Sequence, residues 1–357
     1  MGSVVICGAK LWGIFAYWHL LQEVSFKYAV EPTDSTDIDM LRTELPVHSF
    51  NYLEQEDRET EIIVAIENDS EREKAVESLL ELGFQNVYLY QPPENITPEY
   101  CFQHERQRCT EVMDELRKNR SICLGELLKD VIRNSGSIPL KEMVLLCWGD
   151  SLPLDYAFTY AIARKYNCRK YLEIGSYIGE SINVLTGICD ELHSVTPAPG
   201  SENSMRNWCI YHNIPDYSDR LTYSPKIIHH HCADSKTFDF NTIPRDIDLY
   251  FIDGDHSFYG VYVDTKNVFA HRKKNSIVVW HDFKSVTYPE LVADLAAAVK
   301  SAIGEEEFKN VFCVDTSICG IYLPPELQKD FVLRDYKYTN EPQKLYCYNL
   351  KLDVVER

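Results

Sequence analysis

Lys170-Tyr-Leu-Glu-Ile-Gly-Ser-Tyr-Ile-Gly-Glu-Ser-Ile182 is the stretch whose reading decides the fold. Tyr171 to Ile174 is a short apolar run with strand character, and Glu173 sits near its end. Gly175 and Gly179 bracket a turn, and Glu180 opens a helical pattern. A strand feeding a Gly-rich turn at a helix N-terminus suits ligand binding. Glycine lets the backbone approach closely, and the helix end offers free N–H groups. An ordinary strand-to-helix turn carries the same signature, so the rest of the chain must decide.

Downstream, the same rhythm continues. The first strand, Tyr171 to Ile174, is followed by a helix from Glu180 to Cys189. Leu192-His-Ser-Val-Thr196 reads as a second strand, with a helix over Ser201 to His212. Lys226 to His231 is a third strand. Ile247-Asp-Leu-Tyr-Phe-Ile-Asp253 is a fourth, followed by a helix from Tyr259 to His271. Ser276-Ile-Val-Val-Trp-His281 is a fifth, with a helix from Tyr288 to Ile303. Val311 to Val314 and Cys319 to Leu323 close the series as an antiparallel pair. Alternating strands and helices imply parallel pairing with right-handed crossovers.

The N-terminal part has a smaller version of this pattern. Ser3 to Cys7, Tyr28 to Glu31, Glu61 to Ile66 and Asn86 to Tyr90 read as strands. Helices fit Ile14 to Val24 and Ser70 to Leu82, the latter with Ser70 and Glu73 as a capping box. The expected organisation is a small Rossmann-like α/β domain over 1–92, a linker and helical bridge over 93–150, a larger α/β domain over 151–325 and an extension over 326–357. Residues 99 to 132 read as helical and charged.

Composition narrows the function. The chain has 357 residues, 45% of them hydrophobic, and a formal net charge of −19. Two domains are the better expectation at this length. The acidic balance, with no basic stripe, disfavours nucleic acid and anionic membrane as partners. The start, Met1-Gly-Ser-Val-Val-Ile-Cys-Gly, reads as a strand and not as a signal peptide, and no apolar run reaches the length of a spanning helix. The 12 cysteines are scattered and form no CxxC pair, so they read as reduced thiols in a cytoplasmic protein.

In a doubly wound sheet, ligands bind beyond the carboxyl ends of the strands. Here those ends carry Glu173-Ile-Gly175, Thr196-Pro197, Cys232-Ala-Asp234-Ser235, Asp253-Gly-Asp-His256 and His281-Asp282. Each alone is as readily a loop carboxylate, but the recurrence points to a shared site. The order Glu-x-Gly-x-x-x-Gly, Ala-Asp-Ser, Phe-Ile-Asp-Gly-Asp-His and Trp-His-Asp resembles the class I S-adenosylmethionine-dependent methyltransferases. It resembles most the subgroup with Ile-Asp-Gly-Asp-His and His-Asp at the fourth and fifth strand ends. The resemblance covers residues 150 to 325. It implies a seven-stranded sheet with its last strand antiparallel, beside the smaller N-terminal domain and the helical linker.

The resemblance also implies roles. Glu173, Gly175, Ser176 and Gly179 would hold the methionine and ribose part of S-adenosylmethionine. Asp234, with Ser235 beside it, would take the adenine amino group. The family's acidic ribose ligand is here Thr196. Asp253 belongs to both the cofactor-binding and the catalytic set, and His256 is the candidate general base. Relatives that bind a divalent metal place it at Asp253 and Asp282, with His281 beside them, which suits Mg²⁺ or Mn²⁺. The implied reaction is O-methylation of a small polar acceptor, such as a sugar or a nucleotide-linked sugar.

Three further features bear on function. His229-His-His231 invites a metal reading, but on a strand only His229 and His231 share a face, and they read as structural. Tyr250, Tyr259 and Tyr262 could line an acceptor pocket, or pack as core and rim. Gly8-Ala-Lys-Leu-Trp-Gly13 resembles a dinucleotide loop with Lys10 at the middle glycine, and Glu31 stands where a ribose would be gripped. It points to a scaffold, a homodimer surface or a site for an acceptor nucleotide. The rival functions are an NAD(P)-dependent oxidoreductase using the Gly8 loop and a non-catalytic binding protein.

Overall fold

The computed structural model describes residues 3–33, 38–116, 120–138, 152–176, 179–197, 228–283 and 293–334. It is a mixed α/β structure with two sheets. The first contains β1 (Val4–Cys7), β2 (Phe26–Glu31), β3 (Val47–Ser49), β4 (Ile62–Val64) and β5 (Val87–Leu89). Their order is β3-β2-β1-β4-β5, and every pairing is parallel. Val5 and Cys7 enter the core on one face and Ile6 the core on the other. Covering both faces explains why β1 is apolar at every position rather than alternating. Helices α1 (Leu11–Leu20) and α2 (Asp69–Glu81) are the covering elements that follow β1 and β4.

The second sheet has nine strands. They are β6 (Ser121–Ile122), β7 (Lys170–Ile174), β8 (Glu191–Thr196), β9 (Ile228–Cys232), β10 (Leu249–Ile252), β11 (Ile277–Trp280), β12 (Val311–Val314), β13 (Gly320–Tyr322) and β14 (Leu333–Arg334). The order is β14-β6-β12-β13-β11-β10-β7-β8-β9. β13 runs antiparallel to both β11 and β12, while β7, β8, β9, β10 and β11 pair in parallel. Chain order reverses around β7 and β10, which places the switch point where the opening Gly turn lies.

Two cores flank this sheet. Tyr171, Leu249, Phe251 and Val279 face one, with α4 (Leu124–Ser135) and α5 (Pro153–Lys165) packed on it. Leu172, Tyr250, Ile252 and Trp280 face the other, against α3 (Pro98–Leu116), α7 (Phe258–His271) and α8 (Ala293–Phe308). A short α6 (Glu180–Asn183) follows the Gly turn. Helix α3 belongs to both sheets' cores. Cys101 packs in the first sheet's core, and Cys109, Val112, Met113 and Leu116 pack in the second's. Arg42 reaches Glu105 of α3 at 2.6 Å, adding a polar tie.

Several expectations change. The sheet takes in two strands, β6 and β14, from stretches read as helical bridge and extension. β6 is two residues long, too short to register as a period. It breaks the expected 99–132 helix into α3 and α4. β3, three residues long, also lies where no strand is expected. The N-cap of α2 is Asn68, whose side chain accepts from Glu71 N at 3.0 Å, so Ser70 and Glu73 form no capping box. The helix expected over 180–189 is helical only at Glu180–Asn183. The expected helix over 201–212 and residues 139–148 lie outside the described residues. Nine cysteines are described; Cys232 is exposed, the other eight are buried, and none of the nine is in a disulfide.

Candidate active site

The site begins with backbone hydrogen bonds that continue past the strand ends. Gly175 N donates to Val195 O at 3.0 Å, Asp253 N to Ile174 O at 2.8 Å and His281 N to Ile252 O at 3.0 Å. Gly175, Asp253 and His281 therefore stand side by side along one edge of the sheet. Gly175 has φ +87°, and a Cβ there would lie 1.9 Å from the Asp253 carbonyl oxygen. Only glycine fits that approach. Gly179, also at positive φ, is the N-cap residue of α6.

Four side chains meet at this edge. His281 Nδ1 lies 3.3 Å from Asp253 Oδ1 and 3.2 Å from Asp282 Oδ2. His256 Nε2 lies 3.3 Å and 3.4 Å from the same two atoms. Asp282 adopts φ +51°, an uncommon conformation for a non-glycine residue. His281 is buried and His256 is half exposed, so one closes the site from below and the other stands at its mouth. Of the residues singled out from the sequence, Asp253, His256, His281 and Asp282 are the ones brought together.

Electrostatics follow from these distances. Burial alone would raise the Asp253 carboxyl, but His281 and His256 outweigh it and hold it at about 2. Burial alone would lower both imidazoles. The Asp253 carboxylate, with Asp282 behind it, raises His256 instead, and the same pair with Asp155 raises His281 well above its ordinary value.

Asp155, on α5, is a residue that sequence reasoning missed. It is buried, and its Oδ2 lies 3.6 Å from His281 Nε2. Oδ1 accepts from Ser317 Oγ at 2.6 Å and Ile318 N at 3.2 Å, and Oδ2 accepts from Leu152 N at 2.7 Å. His281 thus has a carboxylate on each side of its ring. Nothing local in Pro153-Leu-Asp155 signals this, because the partner comes from the far end of the chain order.

The remaining candidates occupy neighbouring positions. Glu173 is fully buried, and its carboxylate accepts from Tyr171 Oη at 2.7 Å and Ser176 Oγ at 2.5 Å. Burial pushes it up to about 7 against those hydroxyls. It braces the turn from inside. Thr196 is buried at the end of β8, in register with Cys232. Asp234 Oδ1 accepts from Lys236 N at 2.9 Å, and Ser235 O accepts from Asn267 Nδ2 at 3.2 Å. Lys236 Nζ reaches Asp255 Oδ2 at 2.7 Å, linking the loop after β9 to the loop after β10.

The other polar features lie elsewhere. Tyr250 is buried and meets His271 Nδ1 at 2.8 Å, so it packs as core and lines no acceptor pocket. His193 stacks against His229 and His231 at ring distances of 5.0 and 5.5 Å. His229 and His231 thus share the face of β9 that meets His193 of β8.

A family model described as a methyltransferase domain matches residues 172–283, just under a third of the chain. The match runs from β7 to Phe283 and includes all four converging side chains. The chain carries a methyltransferase domain and is a methyltransferase enzyme. Among solved structures, it is similar to the S-adenosylhomocysteine-bound methyltransferase PaMTH1 of Podospora anserina, at 13% identity and a TM-score of 0.34, covering 64% of this chain and 97% of that one. It is also similar to the sugar N-methyltransferase KedS8 of Streptoalloteichus sp., at 16% identity and a TM-score of 0.27, covering 39% of this chain and 52% of that one. No curated protein matches the chain. No helix among the described residues is long and apolar enough to cross a membrane.

Proposed function

We propose that this chain transfers a methyl group from S-adenosylmethionine to a hydroxyl of a small polar acceptor, of the sugar or nucleotide-linked sugar class. The observation that carries the reading is the meeting of Asp253, His256, His281 and Asp282 beside Gly175, at the switch point of the sheet. The unit responsible spans residues 151–325. When bound, S-adenosylmethionine supplies an electrophilic sulfonium methyl group. Gly175, Ser176 and Gly179 hold its amino-acid and ribose parts, and the Thr196 hydroxyl takes the place of an acidic ribose ligand. Asp234 accepts from the adenine amino group. Glu173 acts through Ser176, because its carboxylate is already engaged there.

His256 is the general base for the acceptor hydroxyl, and Asp253 orients it. It is the half-exposed member of the set, so an acceptor reaches it from solvent. A divalent cation is the alternative use of this set, in which His256 would be a ligand instead of the base. Asp253, His256 and Asp282 offer ligand atoms within 4.8 Å of one another, and neither buried ring nitrogen of His281 has a hydrogen bond. Carboxylates with imidazole beside them suit Mn²⁺ better than Mg²⁺. Such a cation supplies positive charge that lowers the acceptor hydroxyl's pKa. Asp155 braces His281 from behind, as a carboxylate does for a ligating imidazole.

His256→Ala tests the base role. Turnover is expected to fall by about 10²- to 10⁴-fold, with S-adenosylhomocysteine affinity unchanged by calorimetry. Unchanged turnover removes His256 from this role.

A further inference from the structure

The first sheet has its own cavity, of about 450 Å³, at the carboxyl ends of β1, β2 and β4. This is the switch point of the β3-β2-β1-β4-β5 order and lies apart from the site above. Its volume falls in the range of small-molecule pockets. Gly8, at φ +111°, and Gly13 allow the tight packing expected of a nucleotide-binding turn. A Cβ on Gly8 would meet Ala65 O at 2.4 Å, and one on Gly13 would meet Gly8 O at 2.1 Å.

Charge then excludes the usual occupant. Lys10 stands where a pyrophosphate needs bare backbone, and among the described lining residues it is the one cation against Glu31, Glu67 and Glu71, the nearby Arg72 guanidinium being taken by Ile66 O and Glu67 O. A diphosphate would enter a site that already has excess negative charge.

Glu31 points to what fits instead. It is more than nine-tenths buried at the end of β2. Oε2 accepts from Ala9 N at 2.9 Å, and Oε1 accepts from Thr33 N at 3.2 Å and Thr33 Oγ1 at 2.6 Å. A carboxylate has about four acceptor positions, so Oε2 keeps room for one more donor. Leu11, Trp12, Pro32 and Ile66 add an apolar wall. A fixed carboxylate with one open acceptor beside an apolar wall matches a sugar hydroxyl next to a base.

We propose that this cavity binds a ribonucleoside, with one ribose hydroxyl donating to Glu31 Oε2, and not a dinucleotide. The site is independent of the methyl-transfer reading and adds a second ligand to the chain.

Calorimetry on the full chain tests it, with S-adenosylhomocysteine present in excess to fill the methyltransferase site. Adenosine, guanosine, cytidine and uridine are titrated, then the 2′-deoxy and 3′-deoxy forms of the one that binds, then NAD⁺. One ribonucleoside is expected to bind, and one of its deoxy forms to bind at least about tenfold more weakly. NAD⁺ is expected to bind more weakly than the nucleoside. Glu31→Gln should weaken the nucleoside and leave S-adenosylhomocysteine binding unchanged. The proposal is overturned if none of the four binds, if both deoxy forms match the parent, or if NAD⁺ binds more tightly. The deoxy comparison needs no variant, so it stands even if Glu31→Gln does not fold. Failure of the methyltransferase reading would show separately, as absent binding of S-adenosylhomocysteine.

Discussion

Asp264, on α7, shows what single residues in this fold are asked to tolerate. It is 1% exposed, with both carboxylate oxygens buried. Burial pushes its pKa up to about 7, with Ser235 and Lys236 opposing. An unfolded aspartate titrates near 3.9. The folded chain therefore binds the extra proton between those values. Stability from this group is full below the unfolded pKa and is lost as pH rises through the folded one. Wild-type stability should fall by at least about 1 kcal/mol more than that of Asp264→Asn between pH 5.5 and 8.5. Parallel slopes for the two proteins in thermal melts would contradict this. Asp253, His256, His281 and Asp282 were legible in the sequence because each lies within four residues of a strand end. Asp155 and Asp264 were not. They lie on helices, and their contacts come from elements distant in sequence.

At the scale of elements, what the sequence conveyed depended on length. The long apolar strands β7, β8, β10 and β11 were readable, as was the antiparallel close of β12 and β13. The three-residue strands β4, β5 and β13 were readable because they lie inside longer apolar runs, whereas β3, β6 and β14 were not, because two or three residues alone show no period. β6 matters despite its size. Ile122 is fully buried in the core shared with α4 and α5, and Asp315 N donates to its carbonyl at 3.0 Å. Ile122→Ala should cost about 2 to 5 kcal/mol in chemical denaturation, whereas a residue in a surface linker would cost almost nothing. The cap of α2 gives a second check. Asn68→Ala should cost about 1 kcal/mol, and Ser70→Ala, which removes no cap, a few tenths at most. Equal losses would show that the cap was assigned to the wrong residue.

Across the whole molecule, the two α/β rhythms in the sequence became two sheets, and helix α3 packs into a core of each. That double use was hidden in the sequence, where 99–132 reads as a charged bridge. The apolar positions of α3 serve two surfaces at once, and its polar face carries Arg108, which meets Asp294 of α8 at 3.0 Å. The opening Gly turn takes its meaning from this assembled edge. Its glycine is required because the Asp253 backbone presses on it, and Asp253 in turn holds both histidines. We infer that this edge binds S-adenosylmethionine. Thermal unfolding of the full chain with millimolar S-adenosylhomocysteine tests it most directly. At about one hundred times the dissociation constant, binding adds about 2.7 kcal/mol, so a clear rise in Tm is predicted, one that is lost in Gly175→Val. A Tm unchanged by S-adenosylhomocysteine would contradict the account.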